Sequence, residues 1–318
     1  FWEVRGRARD AAARRLGAPA DEVAVTTSTS QGVGLVTAGL EWEPGDEILT
    51  TTEEHPGVLG PLDELRVRRG AVIRLVAADD LVASIGPGTR MVAISHVLWT
   101  TGRILPLPEI AEAARAVGAL LLVDGAQSAG QLDLRMDETG ADFYAISGQK
   151  WLLGPNGTGA LWVHAKHHDS LRPALPSYLS YAEGIVGNMR PGAARFDPGT
   201  LDLASLAGLA AAVEWVDGLE GGWPAWLALA GERVATARAR LAAAGIPSVD
   251  PPGGSTGLVA FELAGHDPVD VVAALAERSV LLRYIPGTPY LRLSVGAWTS
   301  DGDLDALLDG LEAIRSAD

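Results

Sequence analysis

The chain has 318 residues, 47% hydrophobic and 20% charged, which suits one large domain with a smaller one. A net charge of −15 leaves no basic stripe for a nucleic-acid backbone, and no apolar run approaches the roughly 20 residues that cross a bilayer. Zero cysteines exclude a disulfide framework, a thiolate metal site and any chemistry needing the chain's own thiol. No charged-then-apolar leader opens the sequence, and a cytoplasmic location is expected.

The sequence opens at Phe1 inside an Arg/Ala-rich helical pattern over residues 2–16, so a preceding segment is expected. From residue 21 to about 161, short apolar runs alternate with amphipathic stretches such as 58–69 and 107–117. The runs are Glu22-Val23-Ala24-Val25-Thr26, Glu47-Ile48-Leu49-Thr50, Ala71-Val72-Ile73-Arg74-Leu75, Met91-Val92-Ala93-Ile94-Ser95, Ala119-Leu120-Leu121-Leu122-Val123 and Phe143-Tyr144-Ala145-Ile146. Continuous apolar strands separated by helices predict an α/β fold, a mostly parallel sheet flanked by helices on both faces. Ligands of such sheets gather at the carboxyl ends of the strands.

Three of those ends carry polar groups. The first runs into Thr26-Thr27-Ser28-Thr29-Ser30-Gln31-Gly32, where hydroxyls and free amides at a helix start suit a phosphate, or serve as an N-cap without ligand. The fifth runs into Asp124-Gly125-Ala126-Gln127; a carboxylate at the mouth of a buried strand needs a cationic or donating partner, unless it only caps a turn. The sixth leads to Ser147-Gly148-Gln149-Lys150. Only two lysines, Lys150 and Lys166, occur in a chain that otherwise uses arginine, and arginine cannot form a Schiff base. Lys150 is either a covalent anchor for an aldehyde or a surface lysine that escaped this drift. Phosphate grip, carboxylate and amine together are what a pyridoxal phosphate (PLP) enzyme needs.

The chain resembles the class V aminotransferase and cysteine desulfurase family, PLP enzymes of fold type I, over residues 23–311. Ser147-Gly148-Gln149-Lys150 with Gly154-Pro155-Asn156-Gly157 is similar to the family's lysine signature, and Val123-Asp124-Gly125-Ala126-Gln127 to its Val-Asp-Gly-Ala-Gln segment. The resemblance implies Lys150 as Schiff-base lysine, Asp124 on the pyridine nitrogen and Gln127 on the ring hydroxyl. It implies a phosphate site from Thr29, Ser30, Ser147 and Gln149. Glu54-His55 is similar to the segment whose histidine stacks on the cofactor and moves protons, although His55 could simply cap a turn before Pro56. Phe196-Asp197-Pro198-Gly199-Thr200 resembles a stretch that reaches the neighbouring subunit's phosphate, which implicates Thr200 and a homodimer with a shared active site. Arg292-Leu293-Ser294 resembles the Arg-x-Ser segment whose arginine clamps a substrate carboxylate; the duller reading is a surface ion pair. His96 at another strand end either borders the pocket or is a satisfied structural histidine. His164, His167 and His168 have metal-like spacing, but no metal is expected.

The implied activity is Schiff-base exchange with a small-molecule amino acid, then Cα deprotonation by Lys150 or His55, giving transamination or epimerisation. Departures from the pattern shape that expectation. Gln149 replaces a common histidine, Trp99 stands where desulfurases place an asparagine, and residues 280–292 contain no cysteine. A self-persulfidating desulfurase is therefore disfavoured, while a C–S lyase without its own cysteine, or a catalytically silent scaffold, stays as an alternative. The large PLP-binding domain is expected over residues 1–219, with a long Ala/Leu helix at 201–219. A smaller α+β domain follows over 220–318, with a helix from Trp226 and a Pro/Gly-rich loop over 251–257. No nucleic-acid or membrane partner is expected.

Overall fold

A computed structural model describes residues 1–254 and 256–316. It forms two compact units, one of Phe1–Val97 and Leu105–Leu219, the other of Leu98–Ile104 and the chain from Glu220 onward. The short excursion 98–104, inside the sequence of the first unit, thus packs with the second.

The first unit holds a seven-stranded sheet. Its strands are β1 (Val23–Thr26), β2 (Glu47–Thr51), β3 (Val72–Val76), β4 (Thr89–Ser95), β5 (Leu120–Asp124), β6 (Phe143–Ser147) and β7 (Gly159–Val163), in the order β1-β7-β6-β5-β4-β2-β3. Pairings among β2 to β6 are parallel, whereas β7 runs antiparallel to both β6 and β1. The sheet is mostly parallel, as the continuous apolar runs imply; β1, β5, β6 and β7 are buried almost throughout. Being antiparallel to the same strand, β1 and β6 point the same way. Their carboxyl ends therefore share one edge with those of β2, β4 and β5.

The helices of this unit are α1 (Trp2–Leu16), α2 (Thr29–Gly39), α3 (Pro56–Arg69), the single turn α4 (Leu81–Ser84), α5 (Leu107–Ala116), the single turn α6 (Met136–Thr139) and α7 (Leu203–Asp217). Sequence sets their ends. Ser28 caps α2 by accepting from Gln31 N, and Pro56 occupies the first turn of α3, where its missing N–H costs nothing. Val33, Val36, Val58 and Leu62 meet Ile48, Ala93, Leu122 and Ala145 in one buried cluster between these helices and the sheet.

The second unit pairs α8 (Gly222–Ala243), α9 (Pro268–Glu277) and α10 (Asp301–Arg315) with an antiparallel sheet of β8 (Leu258–Glu262), β9 (Arg283–Tyr284) and β10 (Tyr290–Ser294), ordered β8-β10-β9. Helix α8 begins four residues before the expected Trp226, because Pro224 falls in the first turn, where no intrahelical N–H is needed. Leu241, Phe261, Leu275, Leu291, Leu293, Leu307 and Leu311 form its core. Ser255, within the Pro/Gly-rich loop expected at 251–257, lies outside the described residues. No described helix is long and apolar enough to cross a membrane.

Candidate active site

Register gathers the polar groups of the large sheet. Thr26 and Ser147 lie on either side of Gly159, Asp124 pairs with Ala145 on β6, and Ser95 pairs with Asp124. Paired residues share a face, so this row lies on the side that α2 covers, where a Cβ added at Gly32 would fall 2.7 Å from Ala145 Cβ. Glycine is required at position 159 as well. A Cβ there would lie 2.5 Å from Ile146 O and 2.9 Å from Thr26 Oγ1, prising β1 from β6.

At one end of the row, Thr29 Oγ1 lies 2.7 Å from Ser147 Oγ, tying the start of α2 to the end of β6. Ser30 follows in the same first turn. A Cβ at Gly57 would lie 2.5 Å from Ser30 Oγ and 3.0 Å from His55 Nδ1, so the starts of α2 and α3 touch. His55 caps α3, its Nδ1 accepting from Gly57 N at 2.9 Å. That bond requires an unprotonated Nδ1 and leaves Nε2 as the group able to carry a proton.

Asp124 is 7% exposed, and Ala126 N donates to its Oδ1 at 2.7 Å. Burial pushes its carboxyl above the ordinary range, opposed by that amide and by the Lys150 ammonium, whose field reaches it. Lys150 follows Gln149, whose Oε1 is buried with no hydrogen-bond partner among the described residues. Gln127 accepts at Oε1 from Trp151 Nε1 at 2.8 Å, leaving its NH₂ as the donating end.

Glu54 has no role assigned from the sequence. Glu54, 4% exposed, accepts from Ser95 N at 3.0 Å, from Ser95 Oγ at 2.5 Å and from Thr51 Oγ1 at 3.0 Å. Burial drives its carboxyl up to about 7 against those hydrogen bonds, and the Asp124 charge adds to the rise. The signal in the sequence is an acid three residues beyond Thr51, the last residue of β2, near the same edge as Asp124. On the opposite face, His96 Nδ1 lies 2.7 Å from Tyr144 OH, which lies 2.5 Å from Ser128 Oγ, and Ser128 donates to Gly125 O at 3.1 Å. The last bond orders the chain, with Tyr144 donating to Ser128 and Nδ1–H of His96 donating to Tyr144. His96 is thus a satisfied structural histidine, and burial holds it down at about 4.

Thr200 and Arg292 have partners of their own. Thr200 is exposed and contacts Tyr178 OH at 3.1 Å. Asp197, in the same stretch, is buried and receives Arg5 at 2.7 Å, Arg9 at 2.8 Å and Val25 N at 3.0 Å. Arg292 belongs to the second unit. It is 6% exposed, donates to Trp99 O and stacks over the Trp99 ring at 5.9 Å. The surface ion pair of the duller reading is not found among the described residues, and burial, with Arg283 nearby, lowers its guanidinium to about 10. His167 and Lys166 both bind Asp142, and no described group of three or more acidic, His or Cys residues could hold a metal.

The profile of the Aminotransferase class-V family matches residues 3–289. The isopenicillin N epimerase of Streptomyces clavuligerus is 31% identical over 338 aligned positions, covering 97% of this chain and 84% of that protein. A probable cysteine desulfurase of Methanothermobacter thermautotrophicus is 31% identical, covering 85% of this chain and 70% of its own length. Among solved structures, a C-DES mutant with glycine covalently linked to its PLP cofactor superposes with a TM-score of 0.91 at 29% identity, covering 98% and 85% of the two chains. The cystine C–S lyase C-DES with cysteine persulfide gives 0.90 at 29%, covering 98% and 86%.

PLP is the cofactor of this family, and the large-sheet residues fit it. Asp124 is a buried acid with acceptor capacity left for a ring N–H beside the Ala126 amide, and the orphaned Gln149 amide oxygen stands next to Lys150. The first-turn amides of α2 suit a phosphate. On its matched profile, its relatives and its fold, the chain belongs to the class V aminotransferase family.

Proposed function

We propose that the protein moves a proton at Cα of an amino acid, giving transamination or epimerisation, with PLP held on Lys150. The observation that carries this reading is a buried carboxylate, Asp124, within the field of the Lys150 ammonium at the ends of adjoining strands. When bound, PLP supplies an electron sink for charge developing at Cα.

The chain's own groups do the rest. Asp124 holds the proton of the ring nitrogen, and Gln127 donates from its NH₂ to the ring hydroxyl. Thr29, Ser30, Ser147 and Gln149 receive the phosphate. Lys150, which would hold the cofactor, would also take the Cα proton, with Nε2 of His55 as the second proton carrier; placement of such a base contributes roughly 10²–10⁴-fold in rate. Arg292 supplies the guanidinium for the substrate carboxylate, and Thr200 reaches the phosphate of a second copy in a homodimer. C–S cleavage is the second reading, favoured by the likeness to the cystine lyase C-DES. Persulfide formation on the chain's own thiol is set aside, since it has no cysteine.

The test is optical and chemical. The purified protein with PLP should absorb visible light, lose the band on borohydride reduction and carry the reduced adduct on Lys150; Lys150→Ala should stay colourless. A wild-type protein that takes up no PLP, or an adduct on Lys166, would overturn the proposal. An amino-acid panel scored separately for keto acid, racemised product and released sulfur then separates the reactions.

A further inference from the structure

Within the second unit, Arg292 has an unusual neighbour. On the three-stranded sheet Arg292 lies directly opposite Arg283 on one side and Ala260 on the other. Leu291 and Leu293 alternate into the core, so Arg292, Arg283 and Ala260 share the other face. Like charges set opposite each other across a strand pair are destabilising. The chain carries 40 acidic residues against 25 basic ones, yet the charge felt at Arg292 is that of Arg283. Glu262, opposite Tyr290 on the same face, is exposed and contributes no such field.

The pair is built rather than incidental. Arg292 is buried, its Nε has no hydrogen-bond partner among the described residues, and Trp99 covers its plane. The turn carrying Trp99 is seated by Gly102, at φ 78°, where a Cβ would fall 2.5 Å from Leu258 O. Arg283 stays exposed to solvent. Two guanidinium forks with an unused donor and no acid between them suit an anion with two separated carboxylates.

We propose that Arg283 and Arg292 together bind a dicarboxylate, so that the substrate is an amino acid with a second carboxylate on its side chain. Arg292 takes the α-carboxylate and Arg283 the distal one. This rests on the reading of Arg292 as the substrate clamp, and it adds Arg283 as a specificity-determining residue.

Calorimetry on the PLP-loaded protein with glutarate and with butyrate, similar in length but singly charged, tests the pairing. Glutarate should bind about ten-fold more tightly, the effect of one further charge-assisted contact at a partly solvated site. The advantage should shrink as salt rises. Arg283→Gln, on an exposed strand edge where folding is not at stake, should abolish the glutarate preference, and Arg292→Gln should weaken both ligands. Equal binding of the two acids would overturn the proposal and mean that both arginines serve one carboxylate; a glutarate preference that survives Arg283→Gln would overturn it and mean that another group takes the second carboxylate. The Lys150 colour test is read independently, so loss of glutarate selectivity in a coloured protein sinks the substrate class alone. A colourless protein that still prefers glutarate sinks the enzyme reading alone.

Discussion

Replacing Glu54 with glutamine should flatten part of the pH dependence of stability. Burial lifts this carboxyl from an ordinary 4.5 to about 7, overcoming the hydrogen bonds from Ser95 and Thr51, with help from the Asp124 charge. Because the folded pKa lies above the unfolded one, the folded protein holds this proton more tightly. Stability from this group is intact below about pH 4.5 and is lost as pH rises to about 7. A gap of about 2.5, at about 1.4 kcal/mol for each, gives a loss of about 3 kcal/mol. Urea unfolding of cofactor-free wild type and Glu54→Gln, followed at several pH values, gives the difference directly and cancels every other titrating group. Relative to wild type, the variant should gain about 3 kcal/mol between acid and mildly alkaline pH. Asp124→Asn in both backgrounds should shrink that gain, since the Asp124 charge is one of its sources. A stability difference that does not change with pH would refute the reasoning, because it would mean that folding leaves the Glu54 carboxyl titrating where it does in the unfolded chain.

Two further outcomes follow from buried groups. Asp197→Ala leaves Arg5 buried without its acid and frees Val25 N, and should cost about 3–5 kcal/mol in unfolding; a loss below about 1 kcal/mol would show that the pairing contributes little. His96, held down at about 4 by burial, should keep a neutral imidazole shift in proton NMR at a pH of ~5.5, with Nδ1 protonated. Its depressed value costs no stability above pH 6.5 and removes stability as pH falls from 6.5 towards 4, opposite in sign to Glu54. Midpoint titration of His96 near 6.5 would contradict the buried chain through Tyr144.

The parallel strands were legible because residues buried on both faces leave uninterrupted apolar runs, and β1 to β6 lie where those runs fall. The strand β7 was not, since Gly159-Ala160-Leu161-Trp162-Val163 follows a turn and carries no mark of its direction. The ends of β1, β5 and β6 were legible because polar residues there break apolar runs; Asp124 lies with Ser95 and within the Lys150 field. Glu54 was less legible, because Thr52 and Glu53 separate it from the end of β2 and its partner Ser95 lies 41 residues away. Asp197 could not be read, because its partners Arg5 and Arg9 lie 192 and 188 residues away. Nor could the company of Trp99, because packing of 98–104 with the second unit is a long-range fact.

The sheet order also bears on how the protein is born. A nascent chain extended only as far as Lys150 already carries the hydroxyls of α2, the acid of β5 and the amine beyond β6. It still lacks Gly159–Val163, the strand paired with both β1 and β6. Until that last segment leaves the ribosome, β1 has no strand partner, and its half of the grip is held to β6 through the start of α2, by Thr29 on Ser147.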